Sequence, residues 1–161
     1  RHVHLPQELE VFVGAGTVRD ATTARMAIGA GASFLVSPCL NLDVVAMANR
    51  YGVMVVPGCL SPTEIDQAAA AGAEVIKLFP GRVATPGYFK DILGPFPEVR
   101  LMPTGNVNLE TAPEYIRAGA VGVGVGKALV DPAAFRAARW ADITENARRF
   151  RTVIDEARGA A

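Results

Sequence analysis

Lysine is scarce in this chain of 161 residues: Lys77, Lys90 and Lys127 stand against thirteen arginines, so each lysine position is informative. Two cysteines are too few for a disulfide framework, and Cys39 and Cys59 lack the close spacing of zinc ligands. No apolar run reaches membrane-spanning length, and no signal peptide is evident. Sixteen basic residues balance sixteen acidic ones, which leaves no basic surface for nucleic acid. We therefore expect a cytoplasmic protein with free thiols and no metal, nucleic-acid or membrane partner.

Short apolar runs alternate with helical patterns along the whole chain. The predicted strands are 11–16, 33–37, 53–57, 74–79, 99–103 and 120–126. The predicted helices are 20–28, 42–51, 61–72, 109–118, 132–138 and 143–158. Such alternation is typical of successive strand–helix units around a parallel sheet, which makes the chain an α/β protein.

The predicted architecture is a (β/α)8 TIM barrel. Continuous apolar strands with glycine and proline at their carboxyl ends favour a barrel, and no GxGxxG motif opens a helix after the first strand. Six units are two short of closure, and an open six-stranded sheet would expose two edges. We therefore expect residues 1–161 to be a single, incomplete barrel domain that holds the last six units and lacks the first two.

One of the three lysines lies inside an apolar strand pattern. Lys77 belongs to the run 74–80, which is bounded by Gly72 and Gly81. A strand covered on both faces disfavours an ammonium group, and desolvation lowers the pKa of lysine, which makes its amine a usable nucleophile. A strand-end lysine whose head reaches solvent is the alternative interpretation.

Small residues dominate the carboxyl ends of the predicted strands, where barrels carry their functional groups. They leave room for a ligand and let backbone N–H groups approach an anion. Thr17, Ser37 and Thr104 add hydroxyl donors there. The loops after the last two strands are the usual phosphate-binding position of such barrels. Plain turn formation is the alternative reason for the glycines.

Several motifs together resemble one family. They are Val13–Val18 (VGAGTV), Ser37-Pro38, Pro57-Gly58, Ile76–Pro80 (IKLFP), Gly94–Arg100 (GPFPEVR) and Leu101–Gly105 (LMPTG). In this order and spacing the chain resembles, over nearly its whole length, the 2-keto-3-deoxy-6-phosphogluconate (KDPG) aldolase / 4-hydroxy-2-oxoglutarate (KHG) aldolase family. The Lys-x-Phe-Pro motif is the specific part, since glycine loops alone are common.

The resemblance implies a class I aldolase, a lyase that needs neither metal nor other cofactor. It would split KDPG or a close 2-keto acid into pyruvate and an aldehyde, which for KDPG is glyceraldehyde 3-phosphate. Lys77 would form the Schiff base with the substrate ketone. Substrate-binding roles are implied for Thr17 and Pro38 at the pyruvyl end, Phe79 beside the imine, and Thr104, Gly105, Gly126 and Lys127 at the phosphate end. The resemblance also implies a homotrimer, and it leaves open which 2-keto acid is the substrate.

Two departures from the family pattern bear on activity. The family's proton-shuttling glutamate and a carboxylate-binding arginine lie on a strand before VGAGTV, and that strand is absent here. Glu74 lies at odd spacing from Lys77, and Asp20 and Asp43 have helix-start positions, so we expect the 161 residues not to be fully active alone. Lys127 stands where many relatives have serine, and Asn106 where a second glycine is usual.

Two other functions fit parts of the sequence. Another phosphate-binding barrel enzyme, such as an isomerase or a thiamine-phosphate-synthase-like transferase, would use the glycine loops but leaves Lys77 without a role. A catalytically inactive relative that binds an anion is the non-enzyme alternative.

Overall fold

A computed structural model describes residues 11–159 of the chain, so residues 1–10 and 160–161 of the predicted domain lie outside the described residues. The strands are β1 (Gly14–Gly16), β2 (Phe34–Val36), β3 (Met54–Val56), β4 (Gly58–Cys59), β5 (Ile76–Leu78) and β6 (Leu101–Pro103). The helices are α1 (Ala21–Gly29), α2 (Leu42–Arg50), α3 (Pro62–Ala70), α4 (Pro86–Leu93), α5 (Thr111–Arg117), α6 (Pro132–Arg136) and α7 (Trp140–Gly159). Within this part of the chain, no helix is both long and apolar enough to cross a membrane.

The strands pair in chain order, and every pair is parallel. One sheet has the order β1-β2-β3 and the other the order β4-β5-β6. The two sheets join through the short segment that carries β3 and β4. There, the Val56 carbonyl accepts from the Ser37 N–H at 3.3 Å, and the Pro57 carbonyl accepts from the Lys77 N–H at 2.9 Å. The predicted α/β class with parallel strands is confirmed.

The strand predicted at 120–126 is wrong. Gly124 forms one isolated parallel bridge with Thr104, and its N–H donates to the Pro103 carbonyl at 2.8 Å. Glycines at 122, 124 and 126 weaken a strand because they offer no side chain to pack and lose much backbone entropy. The Val121 N–H also donates to the Leu101 carbonyl at 3.0 Å, so the segment lies beside β6 but forms no continuous ladder. The other five predicted strands form, each over its central or final residues.

Helix starts follow the capping pattern. The Ser61 hydroxyl accepts from the Glu64 N–H, while the Glu64 carboxylate accepts from the Ser61 N–H at 2.8 Å, which completes the predicted capping box of α3. Asp20 is the N-cap of α1 and accepts from the Thr23 N–H at 2.7 Å. These contacts hold both carboxylates at helix ends.

Helix α4 was missed by the sequence analysis. Thr85 is its N-cap and Pro86 occupies the first turn, so the start signal was present in the sequence. Gly87 in the first turn obscured the helical pattern, since glycine is a poor helix former. Phe89 and Ile92 are buried against the sheet and anchor the helix.

The helices cover one face of the strands, which places Lys77 on the other face. Leu35 packs with α1 and α2, and Ile76, Leu78 and Leu101 pack with the helices that follow them. Ile76 and Leu78 are at most 1% exposed. Because side chains alternate along a strand, Lys77 between them points to the face that no described helix covers.

A side chain at Gly58 would disrupt the junction of the two sheets. A Cβ added there would lie 2.4 Å from the carbonyl carbon of Pro38, which is backbone and cannot move aside cheaply. Gly58→Ala should lower the free energy of unfolding by about 1–3 kcal/mol, measured by urea titration. Gly122→Ala is the matched control, because an added Cβ there meets nothing within 4 Å. Equal stability of the two variants would contradict the prediction.

Candidate active site

Lys77 is the central residue of β5, opposite Gly58 on one neighbouring strand and Met102 on the other. Its side chain is half-buried. Its ammonium nitrogen lies 4.4 Å from the centroid of the Phe79 ring, which stands two residues along and on the same face. The ring thus covers one side of the amine.

Burial lowers the pKa of Lys77 from its ordinary value of 10.5, because the charged form loses hydration. Within residues 11–159, the salt bridges all involve arginine, and none joins a carboxylate to Lys77. A cation–π contact stabilises the ammonium form only modestly. The arrangement therefore raises the share of neutral amine, which is the nucleophilic form.

Pro38 comes close to the lysine through the neighbouring strand. Its backbone packs directly on Gly58, which is the residue opposite Lys77. The buried Ser37 hydroxyl donates to the Cys39 carbonyl at 2.9 Å, so this predicted donor is used inside the turn that presents Pro38. Pro38 is half-buried at the edge of the site.

Thr17 follows β1, which does not pair with the lysine strand β5. It is exposed directly after β1, and β2 together with the Met54–Cys59 segment separates β1 from β5. No hydrogen bond within the described part of the chain joins its side chain to another predicted site residue. Its role at the pyruvyl end stays a prediction.

The loops after β5 and β6 meet beside Phe79. The Gly81 N–H donates to the Thr104 carbonyl at 2.9 Å, and the Thr104 N–H donates to the Leu78 carbonyl at 3.1 Å. A Cβ on Gly105, whose φ is +88°, would lie 3.5 Å from the Phe79 ring. The hydroxyl of Thr104 is buried against Gly124 and has no hydrogen-bond partner among residues 11–159.

A cavity of about 350 Å³ opens next to these loops. Its walls are Gly105, Asn106, Val107, Asn108, Gly124, Gly126, Lys127 and Ala128. Lys127 is exposed and is the charged residue of this wall. Three residues predicted for the phosphate end, Gly105, Gly126 and Lys127, thus share one cavity, and Gly105 connects it to Phe79.

Two cavities of similar size lie away from Lys77. One of about 410 Å³ is lined by residues at the amino end of β3, among them Glu74. The other, of about 380 Å³, lies between α6 and α7, where Arg139 pairs with Asp131 and Asp142. Neither contains a predicted site residue, so size alone does not locate the chemistry.

None of the carboxylates considered from the sequence reaches the lysine as a proton donor or acceptor. Asp20 caps α1, and its pKa is lowered by the backbone and hydroxyl of Thr23. Asp43 lies in the first turn of α2, beside its cap Asn41. Glu74 is exposed, on the wall of the cavity at the amino end of β3. Across residues 11–159, no group of three or more His, Cys, Asp or Glu is placed to hold a metal ion.

Two residues, Asn108 and Tyr115, contribute to this region although no sequence motif indicated them. Asn108 lines the cavity beside Lys127 without belonging to any quoted motif. Tyr115 on α5 is 3% exposed, and its hydroxyl lies 2.9 Å from the carbonyls of Gly81 and Ala84 in the loop after β5. The one available signal was that a buried tyrosine needs a partner for its hydroxyl.

Lys77→Met should stabilise the protein at neutral pH. Burial depresses the folded-state pKa of Lys77, so the unfolded chain binds this proton more tightly than the native state does. The penalty for the buried charge is present below the folded-state pKa and is relieved as the pH rises toward 10.5. The stability gain of Lys77→Met should therefore be larger at pH about 7 than at about 10.

Urea unfolding at both pH values measures this gain. Lys90→Met is the matched control, because Lys90 is exposed on α4. A Lys77→Met protein that is less stable than the unsubstituted protein at neutral pH would contradict the desolvation argument.

Comparison of the sequence with known proteins identifies its family. The family model for KDPG and KHG aldolase matches residues 2–146. A 2-dehydro-3-deoxy-phosphogluconate aldolase from Treponema pallidum is 40% identical over 108 residues, which cover 66% of this chain and 51% of that protein. A 2-dehydro-3-deoxy-6-phosphogalactonate aldolase from Escherichia coli is 32% identical over 121 residues, covering 74% and 59%.

A solved structure is similar over most of the chain. It is a KDPG aldolase from Legionella pneumophila with pyruvate captured as a covalent carbinolamine intermediate. The match has a TM-score of 0.80 at 29% identity and covers 85% of this chain and 67% of that one. The chain spans about half the length of the curated relatives it matches. With the family model matched over residues 2–146, the chain belongs to the KDPG and KHG aldolase family.

Proposed function

We propose that this chain carries the lysine centre of a class I aldolase that cleaves a phosphorylated 2-keto-3-deoxy acid. The observation that carries the proposal is the half-buried amine of Lys77, with a lowered pKa and the Phe79 ring 4.4 Å away, on the helix-free face of the sheet. A solved KDPG aldolase structure that is similar to this chain holds pyruvate as a covalent carbinolamine intermediate, which supports amine chemistry in this family.

In the proposed reaction, the neutral amine of Lys77 attacks the ketone carbon of the substrate. The resulting carbinolamine loses water to give a protonated imine, whose positive nitrogen acts as the electron sink. The C3–C4 bond then breaks, its electron pair moves toward the imine as an enamine forms, and the C4 hydroxyl proton leaves as the aldehyde is released. Protonation of the enamine at C3 and hydrolysis return pyruvate and the free amine. The covalent imine takes the place of a metal or other cofactor.

The surrounding residues have separate proposed roles. Phe79 covers the imine and keeps water from it, and Pro38 shapes the pyruvyl pocket through its contact with Gly58. Thr17 would contact the pyruvyl carboxylate. Thr104 would contact the phosphate end of the substrate, as the family resemblance implies.

The phosphate of the substrate is proposed to occupy the 350 Å³ cavity. Gly105 and Gly126 keep its walls free of side chains, and Lys127 supplies a positive charge. An ammonium group binds phosphate as a point charge, without the planar fork of arginine. Substrates of this class include the 6-phosphogluconate and 6-phosphogalactonate derivatives, and relatives named for each are similar to this chain.

The proton-transfer group is proposed to lie outside residues 11–159. No carboxylate considered above reaches Lys77. We propose that the acid/base residue lies on a strand of the (β/α)8 barrel next to β1, as the family resemblance implies. The proposed assembly is a homotrimer, as the family resemblance implies, and the proposed location is the cytoplasm.

Incubation with pyruvate and sodium borohydride should attach a reduced pyruvyl group to Lys77. The protein is expressed from its complete coding sequence, and the modified peptide is identified by mass spectrometry. We expect this adduct because a lowered lysine pKa increases the fraction of neutral, nucleophilic amine. The peptide that carries exposed Lys90 is the internal control and should stay unmodified.

Lys77→Arg should abolish the adduct, because a guanidinium does not form the imine at neutral pH. An unmodified Lys77 in the complete protein would contradict the class I mechanism. It would leave another phosphate-binding barrel enzyme or an inactive anion-binding relative as the function.

Lys127→Ser should weaken the use of phosphorylated substrate selectively. Removal of one exposed charge–phosphate contact should raise KM by about threefold to tenfold, with kcat little changed. Steady-state assays compare KDPG with unphosphorylated 4-hydroxy-2-oxoglutarate, for which KM should not change. Lys90→Ser is the control for a lysine elsewhere on the surface. An equal loss with both substrates would contradict the assignment of Lys127 to the phosphate.

A further inference from the structure

Tyr115 connects α5 to the loop that follows the lysine strand. Its side chain is 3% exposed, and its ring packs edge-to-face on Phe89 of α4, with centroids 5.3 Å apart. Its hydroxyl lies 2.9 Å from two backbone oxygens, the carbonyls of Gly81 and Ala84. One buried O–H therefore donates to a pair of carbonyls that belong to the same short loop.

This loop, residues 80–85, is tied to both parts of the site. The Pro80 carbonyl accepts from the Val83 N–H at 2.9 Å, which closes the turn. The Gly81 N–H donates to the Thr104 carbonyl at 2.9 Å. Gly81 also packs so closely on the loop after β6 that an added Cβ would lie 2.0 Å from the Gly105 carbonyl oxygen. A shift of this loop would thus move Phe79 on one side and Gly105 on the other.

We propose that Tyr115 is a positioning residue for Lys77, acting through the loop 80–85 to hold the Phe79 ring over the amine. The Tyr115 hydroxyl fixes Gly81, Gly81 fixes the backbone of Thr104 and Gly105, and Gly105 packs on Phe79. Tyr115 itself touches neither the amine nor the substrate pocket. The proposal rests on the proposed function in one respect, namely that Lys77 is the reacting amine.

The Tyr115 hydroxyl stabilises the loop by satisfying two buried backbone carbonyls. Removing the hydroxyl leaves the Gly81 and Ala84 carbonyls without their buried donor, and a buried acceptor without a partner is unstable relative to a hydrated one. The loop relieves this by moving toward water. The Phe79 ring would then leave its position over Lys77, and a misplaced group of about 1 Å can slow a reaction up to about a hundredfold.

The test is Tyr115→Phe in the complete protein, which keeps the ring contact with Phe89 and removes the hydroxyl alone. Tyr88→Phe is the matched control, because the Tyr88 hydroxyl also donates to one backbone carbonyl, that of Leu60, on another loop. Phe89→Leu is a second control that weakens the packing and keeps the Tyr115 hydroxyl. Thermal unfolding verifies that each variant is folded.

Two measurements separate positioning from stability. The first is amide hydrogen exchange of the peptide that covers residues 79–85. The second is the rate of borohydride-trapped imine formation at saturating pyruvate, together with the pyruvate concentration for half-maximal rate. In Tyr115→Phe, exchange should become about fivefold faster, and the imine rate should fall about tenfold with a less than twofold change in the half-maximal concentration. Neither control should change the imine rate.

An unchanged imine rate in folded Tyr115→Phe overturns the proposal, as does an equal fall in Tyr88→Phe or Phe89→Leu. Absence of any adduct in the unsubstituted protein is a failure of the proposed function instead. The positioning of Lys77 is then judged from its acetylation by acetic anhydride relative to Lys90. A ratio that changes by about threefold or more in Tyr115→Phe supports the proposal, and an unchanged ratio overturns it.

Discussion

The ammonium group of Lys77 has to be kept on a sheet where it is partly removed from water. Its neighbours along β5, Ile76 and Leu78, are anchored in the core, so the strand cannot rotate to release it. The backbone of Lys77 is itself bound to the Pro57 carbonyl. The packing of the core therefore offsets the free-energy cost of partly dehydrating one charge. This dehydration lowers the pKa of Lys77. A shifted pKa that costs folding stability is typical of residues at functional sites.

Close contacts between backbone segments fix the positions of the loops relative to the lysine strand. Gly58 lets the turn at Pro38 rest on the strand beside Lys77, and Gly81 lets the loop after β5 rest on Gly105. At both places a Cβ would collide with backbone, so glycine is required for packing and not for a left-handed conformation. Because of these contacts, the edge of the site consists of backbone. Backbone is stiffer than side chains, and it leaves space at the site for a ligand.

Local signals in the sequence predicted the parts of the fold that depend on neighbours along the chain. The capping box of Ser61 and Glu64 and the parallel strand at Ile76–Leu78 are examples. The failure at residues 120–126 has a physical reason, because an apolar pattern does not reveal how strongly three glycines oppose a ladder. Helix α4 was missed although Thr85 and Pro86 marked its start.

The candidate site was predictable only where a motif carries it. The family resemblance placed Phe79 beside Lys77, and their two-residue spacing along a strand puts both on one face. The contact of Tyr115 with Gly81 joins residues 34 positions apart, and no pattern in the chain encodes it. The same holds for Asn108 in the cavity wall. Tertiary contacts of this kind decide how the motif is held.

The separation of the two lysines follows from what each charge does in the proposed reaction. Lys77 must lose its proton to attack, which needs a partly dry environment, and it has one. Lys127 would attract the phosphate through its charge, and its side chain is exposed. Both amines would face the same substrate, yet one is half-buried and the other is exposed. The Phe79 ring and the backbone of Gly105 stand between these surroundings, so their packing maintains the difference.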